Sequence, residues 1–494
     1  MLKESLEIEY KSAKKGLPDD IWETYSSFSN TVGGQIFLGI GEKEGEFIIE
    51  GINDTQSIID DFWNTITSKE KVNQNILNDN NIKVVKLEDK NVIVITVPEA
   101  EYRLKPISVK IRKRWIAYKR LGTGDREATK EQLQYMHANS QSDLDSSIIE
   151  GYDLDDLNLE DVKMYQEEVY KNSGEERIKQ LSTEDFLKEI GVLKRKRPTK
   201  DYGLTIGGLL FFGKYQSIRD YYPGFQLDYF KKESSMETDW LDRVSSGDMT
   251  YPEINIYSFY KLVFNKLTMN ISEPFMLDND SKRKPYRNDL KIALRENLVN
   301  MLMHAYYGTQ IPLKVNEYPD YIEFYNPGDM RILPTDFIVG GSSKVRNSTL
   351  AVLFRRVGIS EKAGSGGPRI FDIVNKYNLR IPDIISTDED TRIRLWKIDL
   401  ISSYKDLSSE EYQIFEFLIS EKLITKSDAI KKIKMTEYAF NQTIQKLLEK
   451  DIIDRKSGGR STHYVLKTSS EASVFSDKKQ IRYLEDKMKI NRRK

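Results

Sequence analysis

The stretch LRENLVNMLMHAYYG, residues 294–308, sets Glu296, Asn300 and His304 at four-residue intervals. That spacing stacks the three polar side chains along one side of an α-helix. On the other side Leu294, Leu298, Met301, Leu302 and Ala305 recur with helical periodicity, so the segment predicts an amphipathic helix packed on a core. A polar row turned to water would account for the pattern by itself. The asparagine argues for more, because its side chain competes for backbone groups and makes it a poor helix-interior residue.

Two further elements follow in order. The β-rich run YIEFYNPGDM, 321–330, contains the sharp turn Asn326-Pro327-Gly328. Then EKAGSGGPRIFDIV, 361–374, punctuated by Gly364, Gly366 and Gly367, reads as a loop feeding a helix. A glycine-rich loop at a helix N-terminus offers backbone N–H groups and a favourable dipole to phosphate.

This order of acidic-amide helix, strand with a polar glycine turn, and glycine-rich loop resembles the GHKL superfamily with its Bergerat ATP-binding fold. More closely it resembles the divergent branch found in RecG-like transcriptional-regulator proteins of bacteria. The matching residues are Arg295-Glu296, Asn300, His304, Asn326-Pro327-Gly328, Arg346-Asn347 and Glu361 through Pro368. The resemblance implies ATP with Mg²⁺, or Mn²⁺, as cofactors. It makes Glu296 the general base that polarises water, and Asn300 the ligand of the Mg²⁺ that bridges phosphate oxygens. Asn326 stands where most members have an aspartate reading the adenine amino group; its amide oxygen can accept the same bond, more weakly. Gly328 would let the backbone approach the base, Gly364, Gly366 and Gly367 would line the phosphate lid, and His304 would be structural.

A chain of 494 residues exceeds a single core and predicts several domains. With 39% hydrophobic and 31% charged residues it reads as globular. The formal net charge of -1 excludes a wholesale polybasic binder, so a nucleic-acid surface has to be local. The absence of cysteine excludes disulfides, thiolate metal sites and thiol nucleophiles, and 3 histidines argue against a multi-histidine zinc site. No apolar signal core and no 18-residue apolar run occur, so a cytoplasmic protein without a membrane partner is expected. The many Lys, Ile and Asn residues suit an AT-rich bacterial genome.

The expected architecture is α/β (α+β) and multidomain. It comprises an α/β unit over 1–140, an acidic linker (148–161) within a linker and helical segment (141–200), an ATP-binding module over 201–402, a winged helix-turn-helix over 403–467, and a charged tail, 468–494. In the first unit ESLEIEYKSA carries Glu4, Glu7 and Glu9, and SFSNTVGGQIFLGIGEKEGEFIIEGI combines a helix end, a Gly-Gly turn and a buried strand. With the closing AYKRLGTGDREAT they resemble the Schlafen-type AlbA domain. That resemblance implies a Glu-x4-Glu metal pair, Glu4 and Glu9, with Glu42 or Glu44 as a third carboxylate. Lys11 beside them could help activate water for phosphodiester cleavage.

From Arg103 to Arg120 lie Arg103, Lys105, Lys110, Arg112, Lys113, Arg114, Lys119 and Arg120 with no acidic residue, interleaved by Trp115 and Tyr118. Cations can contact phosphates, and aromatics can stack on bases. The C-terminal LSSEEYQIFEF…THYVL resembles a winged helix, whose recognition helix, 436–450, offers Tyr438, Asn441, Gln442 and Gln445, with Arg455, Lys456 and Arg460 on the wing. The expected partners are DNA or RNA and ATP, in a homo-oligomer. Two functions stay open: an ATP-regulated AlbA-type nuclease or binding protein, as in bacterial antiphage effectors, and a nucleotide-sensing transcriptional regulator without nuclease activity. A scaffold with two degenerate sites is a third.

Overall fold

The chain divides into two units, Met1–Ser142 and Asp143–Lys494. The computed structural model describes residues 4–43, 46–141, 143–197, 199–234, 238–269, 271, 285–341, 343–359, 364–387, 389–400, 402–404, 406–421, 423–458 and 461–467. Glu44, Glu361, Arg460 and the tail from 468 lie outside these residues.

In the first unit, strand β1 (Ile8–Lys11) runs parallel to β2 (Gly34–Leu38), with helix α1 (Ile21–Asn30) between them in sequence. A hairpin of β3 (Ile40–Lys43) and β4 (Glu46–Ile49) leads to helix α2 (Thr55–Thr67). The antiparallel strands β5 (Ile82–Leu87) and β6 (Lys90–Val97) complete a sheet of order β1-β2-β6-β5. Its core joins Ile21, Trp22, Tyr25 and Phe28 of α1 to Ile36, Leu38, Ile93 and Ile95 of the sheet. The remaining strands, β7 (Ser108–Ile111), β8 (Arg114–Leu121) and β9 (Gly124–Glu127), form a meander before helix α3 (Lys130–Ser140).

Small polar residues fix that meander to α1. Asn30, fully buried, donates through Nδ2 to the carbonyls of Ile107 and Tyr118 and accepts from the Ile107 N–H through Oδ1. The Ser26 hydroxyl accepts from the Tyr118 N–H and donates to the Ile107 carbonyl. Backbone groups that an edge strand would leave to water are thereby satisfied inside the unit.

The second unit begins with helices α4 (Leu159–Ser173), α5 (Glu176–Gln180) and α6 (Thr183–Glu189), strands β10 (Leu193–Arg195) and β11 (Tyr202–Leu204), and helices α7 (Ile206–Phe212) and α8 (Tyr215–Tyr221). The acidic run 148–161 is built into this unit rather than linking domains. Ile149, Leu157, Val162, Tyr165 and Val169 enter its core. The acidic residues close turns instead: Asp153 accepts from the Asp155 N–H, and Asp161, buried, accepts from Asn255. Charge counting alone cannot tell such capping carboxylates from a solvated linker.

Next come β12 (Leu227–Lys231), β13 (Asp242–Ser245), α9 (Ile256–Met269), α10 (Tyr286–His304), β14 (Leu313–Glu317) and β15 (Tyr321–Pro327). Helices α11 (Pro334–Val339), α12 (Ser348–Arg356) and α13 (Gly366–Lys376) precede β16 (Asp383–Ser386) and β17 (Asp390–Trp396). The six strands form one sheet of order β13-β12-β14-β15-β17-β16. Helix α10 covers the centre of this sheet and buries Leu294, Leu298, Met301, Leu302 and Ala305. The rest is α14 (Ser409–Glu421), β18 (Leu423–Ile424), α15 (Lys426–Asp428), α16 (Glu437–Glu449), β19 (Ile453–Gly458) and β20 (Ser461–Leu466), with strand order β18-β20-β19. Tyr438, Asn441, Gln442 and Gln445 stand exposed on α16. Among the described residues no helix is long and apolar enough to cross a membrane.

Candidate functional site

The polar row of α10 does not face water. Glu296 is only 6% exposed, and with Asn300 and His304 it lines a cleft of about 1060 Å³ of free space, counting its open mouth. The floor comes from β15 and β17, whose paired residues Phe324 with Ile393 and Asn326 with Thr391 face the cleft. Asn326 is buried, and its Nδ2 donates to the Pro327 carbonyl. Gly328 is not among the described lining residues; its carbonyl accepts from the Thr391 hydroxyl.

The glycine loop closes the other side, with Gly364, Ser365, Gly366 and Gly367 all lining the cleft. Gly367 tolerates no side chain, and Gly366 packs closely on the polar row of α10. A Cβ at Gly366 would lie 2.8 Å from Glu296 Oε2 and 3.3 Å from Asn300 Nδ2, and one at Gly367 would lie 1.9 Å from the Phe337 carbonyl oxygen. The backbone at the start of α13 therefore passes directly over the carboxylate and amide of α10. Arg369, one turn into α13, donates to Glu296 Oε1 at 3.0 Å. Arg346, fully buried, donates to the His304 carbonyl and pairs with Asp329 at 2.7 Å. Burial, with the nearby Arg346 and Arg331, pushes the His304 imidazole down to about 3, so it is neutral at physiological pH. His304 thus serves as a neutral wall.

A divalent cation would find the Asn300 amide here, and Mg²⁺ characteristically takes few protein ligands beside phosphate oxygens and water. Sequence reasoning missed Arg369, Asp329, Asn297 and Thr391 as parts of this site. The signals available were the Arg after GSGGP and the Asp after NPG.

In the first unit Glu9 and Lys11 sit on the inward face of β1, and both are buried. Glu9 accepts from Arg120 at 2.7 Å and from Lys11 at 3.2 Å. Lys11 also pairs with Asp20 at 2.8 Å, and Arg120 with Asp125 at 2.9 Å, while Asp125 accepts from the hydroxyls of Thr24 and Ser27. Burial pulls the Lys11 ammonium down, but Asp20 and Glu9 outweigh it and leave its pKa raised. Glu4 lies close by; burial raises its pKa, opposed by the Tyr10 N–H that it accepts at 3.2 Å. Glu42 is exposed on β3, and among the described residues no group of three acidic or histidine side chains could hold a metal ion. Arg120 and Lys11 already provide the positive charge that a metal would bring to Glu9.

The basic segment divides in two. Arg120 is buried in the ion network, Lys105 pairs with Glu99 at 2.6 Å, and Arg103 donates to the Tyr102 hydroxyl. These positions correct the expectation of eight uncompensated cations: acidic partners from outside the segment neutralise Arg120 and Lys105. Tyr118 and Lys119 are half-buried on β8. Lys110, Arg112, Lys113, Arg114 and Trp115 are exposed at the β7–β8 hairpin tip, with Lys110 Nζ 5.9 Å from the Trp115 ring. The turn residues Arg112 and Lys113 both take positive φ, 46° and 74°, where Asn-Gly would be comfortable. Each costs about 1 kcal/mol, accepted at the place where two cations are displayed.

Residues 4–129 match the family "Schlafen, AlbA_2", and residues 308–395 match "Putative ATP-dependent DNA helicase recG C-terminal". Residues 134–228 match a domain of unknown function (DUF8451). Among solved structures, the DIP2311 protein from Corynebacterium diphtheriae is 18% identical over 95% of this chain and 94% of its own, with a TM-score of 0.40. The N-terminal domain of "Putative ATP-dependent DNA Helicase RecG-related Protein" from Nitrosomonas europaea is 25% identical over 26% of this chain and 86% of its own, with a TM-score of 0.21. No curated protein matches the chain.

Proposed function

We propose, for a chain that carries a Schlafen AlbA_2 domain ahead of a recG-type C-terminal ATPase-like domain, an ATP-binding protein whose nucleotide module governs an AlbA-type nucleic-acid-binding unit. The single observation that carries the nucleotide half is the convergence of Glu296, Asn300 and the Gly364–Gly367 backbone on one cleft. Backbone N–H groups at the start of α13 and the Arg369 guanidinium suit phosphate oxygens, and Asn300 suits the accompanying Mg²⁺. Calorimetry on the full chain should detect ATP·Mg²⁺ binding, and Asn300→Ala should abolish the Mg²⁺-dependent part. Absence of binding by the wild type would refute the nucleotide reading.

The nucleic-acid half rests on the hairpin tip. Four cations and an exposed indole on a braced two-residue turn suit phosphate contact with stacking. Replacing Arg112, Lys113 and Arg114 together by Ala should weaken binding across sequences and reduce the salt slope by about 0.7–0.9 per lost contact. An unchanged slope would move the surface elsewhere. Binding is favoured over cleavage because Glu9 is already neutralised by Arg120 and Lys11. The exposed face of α16, with Tyr438, Asn441 and Gln442, favours the regulator as second reading, reached through a winged-helix contact.

A further inference from the structure

Asn297 follows Glu296 on α10 and lines the same cleft, yet it belongs to no motif that drew attention to this helix. It is 1% exposed. Its Nδ2 donates to the Ala293 carbonyl at 2.9 Å, one turn back. Its Oδ1 is buried and accepts no hydrogen bond from any described residue. The orientation of this amide is fixed, because the flipped form would set two acceptor oxygens against each other at that distance. A buried acceptor without a donor is unfavourable, and a ligand that brings an N–H or O–H relieves it.

Phosphate oxygens bring no proton at neutral pH, so the phosphate end of a nucleotide cannot satisfy Asn297. A base can. One turn along α10 stands Met301, and the sheet opposite supplies Phe324 and Ile393, an apolar slot suited to a flat ring. Asn326 and Thr391 edge the same slot, Thr391 donating its hydroxyl proton to the Gly328 carbonyl and Asn326 one amide proton to the Pro327 carbonyl. We infer that Asn297 Oδ1 accepts a hydrogen bond from the 6-amino group of a purine nucleotide and selects adenine, which presents a donor there, over guanine, which presents a carbonyl. This rests on the nucleotide reading above and adds to Asn326 a second residue that reads the base.

The test is calorimetry of the full chain with Mg²⁺, using ATP and purine riboside 5′-triphosphate, which lacks the 6-amino group. Wild type should bind ATP about tenfold more tightly than the analogue. Asn297→Leu should lose about that factor for ATP and stay within twofold for the analogue, a non-additivity that locates the contact. Without nucleotide, Asn297→Leu should melt no lower than wild type, since the cost of the unpartnered buried Oδ1 is removed with the one hydrogen bond to Ala293. Equal wild-type affinity for ATP and the analogue would overturn the inference while leaving the nucleotide site standing, whether or not the variant folds. Equal losses for both ligands in Asn297→Leu would do the same. Failure of wild type to bind either ligand would overturn the nucleotide reading and this inference together.

Discussion

Arg120→Ala is expected to destabilise the N-terminal unit by about 3–5 kcal/mol, the usual result of removing one partner from a buried ion network. The guanidinium is 2% exposed and spans Glu9 on β1, Asp125 on β9 and the carbonyls of Ser5 and Ile8. Truncation leaves Asp125 without its cation and Glu9 with Lys11 alone, which is itself shared with Asp20. Hydrogen exchange on the full chain, followed through peptides from residues 4–141, should show amides of β1, α1 and β8 opening on the order of 10²–10³-fold more readily. Arg120→Met combined with Glu9→Gln and Asp125→Asn should recover part of the loss, because no charge is then stranded. If Arg120 were instead a phosphate contact, as proposed for Arg112, its removal would leave exchange unchanged and lower only the salt slope of binding. The same network bears on cleavage assays: a Glu9→Gln variant that loses activity has also lost a buried ion pair, so exchange must be measured beside it.

Why the pairing of Arg120 is hidden in the sequence and the placement of Glu296 is not comes down to range. Periodicity along α10 is a local signal, and it separates the apolar stripe from the polar row without reference to any tertiary contact. The hairpin tip was legible for the same reason, since Lys110 through Trp115 are neighbours in sequence. Whether a cation is free is not local. Arg120 finds Glu9 over 100 residues away, a pairing that depends on α1 carrying Ser26 and Asn30 against β8. The Glu-x4-Glu spacing likewise brought Glu4 and Glu9 near each other, but the spacing says nothing about what already occupies the charge between them. Asn297 is the converse case. Beside the eye-catching Glu296 and Asn300 it reads as one more helix residue, and only the missing donor at its Oδ1 marks it. The acidic run 148–161 misled because turn-capping and solvated carboxylates look alike in composition.

Glu296→Gln should lower ATP turnover by about 10²–10⁴-fold, the typical contribution of a positioned general base, while changing ATP affinity by no more than a few-fold. Among the described residues lining the cleft the carboxylates are Glu296 and Asp329. Asp329 is held by the buried Arg346 at 2.7 Å, and its own carbonyl accepts from the same guanidinium. That bracket ties the turn after β15 to the loop before α12 and leaves Asp329 poorly placed to take a proton. Arg369 donates to Glu296 Oε1 at 3.0 Å, and Oε2 lies against Gly366 at the start of α13, where the phosphate chain would pass on the proposed reading. On the proposed reading, phosphate oxygens entering there would compete with Glu296 for the Arg369 guanidinium. On this account Arg369→Met weakens ATP binding but leaves the effect of Glu296→Gln on turnover intact. Steady-state phosphate release at saturating ATP checks both variants, with calorimetry for affinity. Turnover within threefold of wild type in Glu296→Gln would show that this carboxylate does not activate water, and the cleft would then be a site that senses ATP without hydrolysing it.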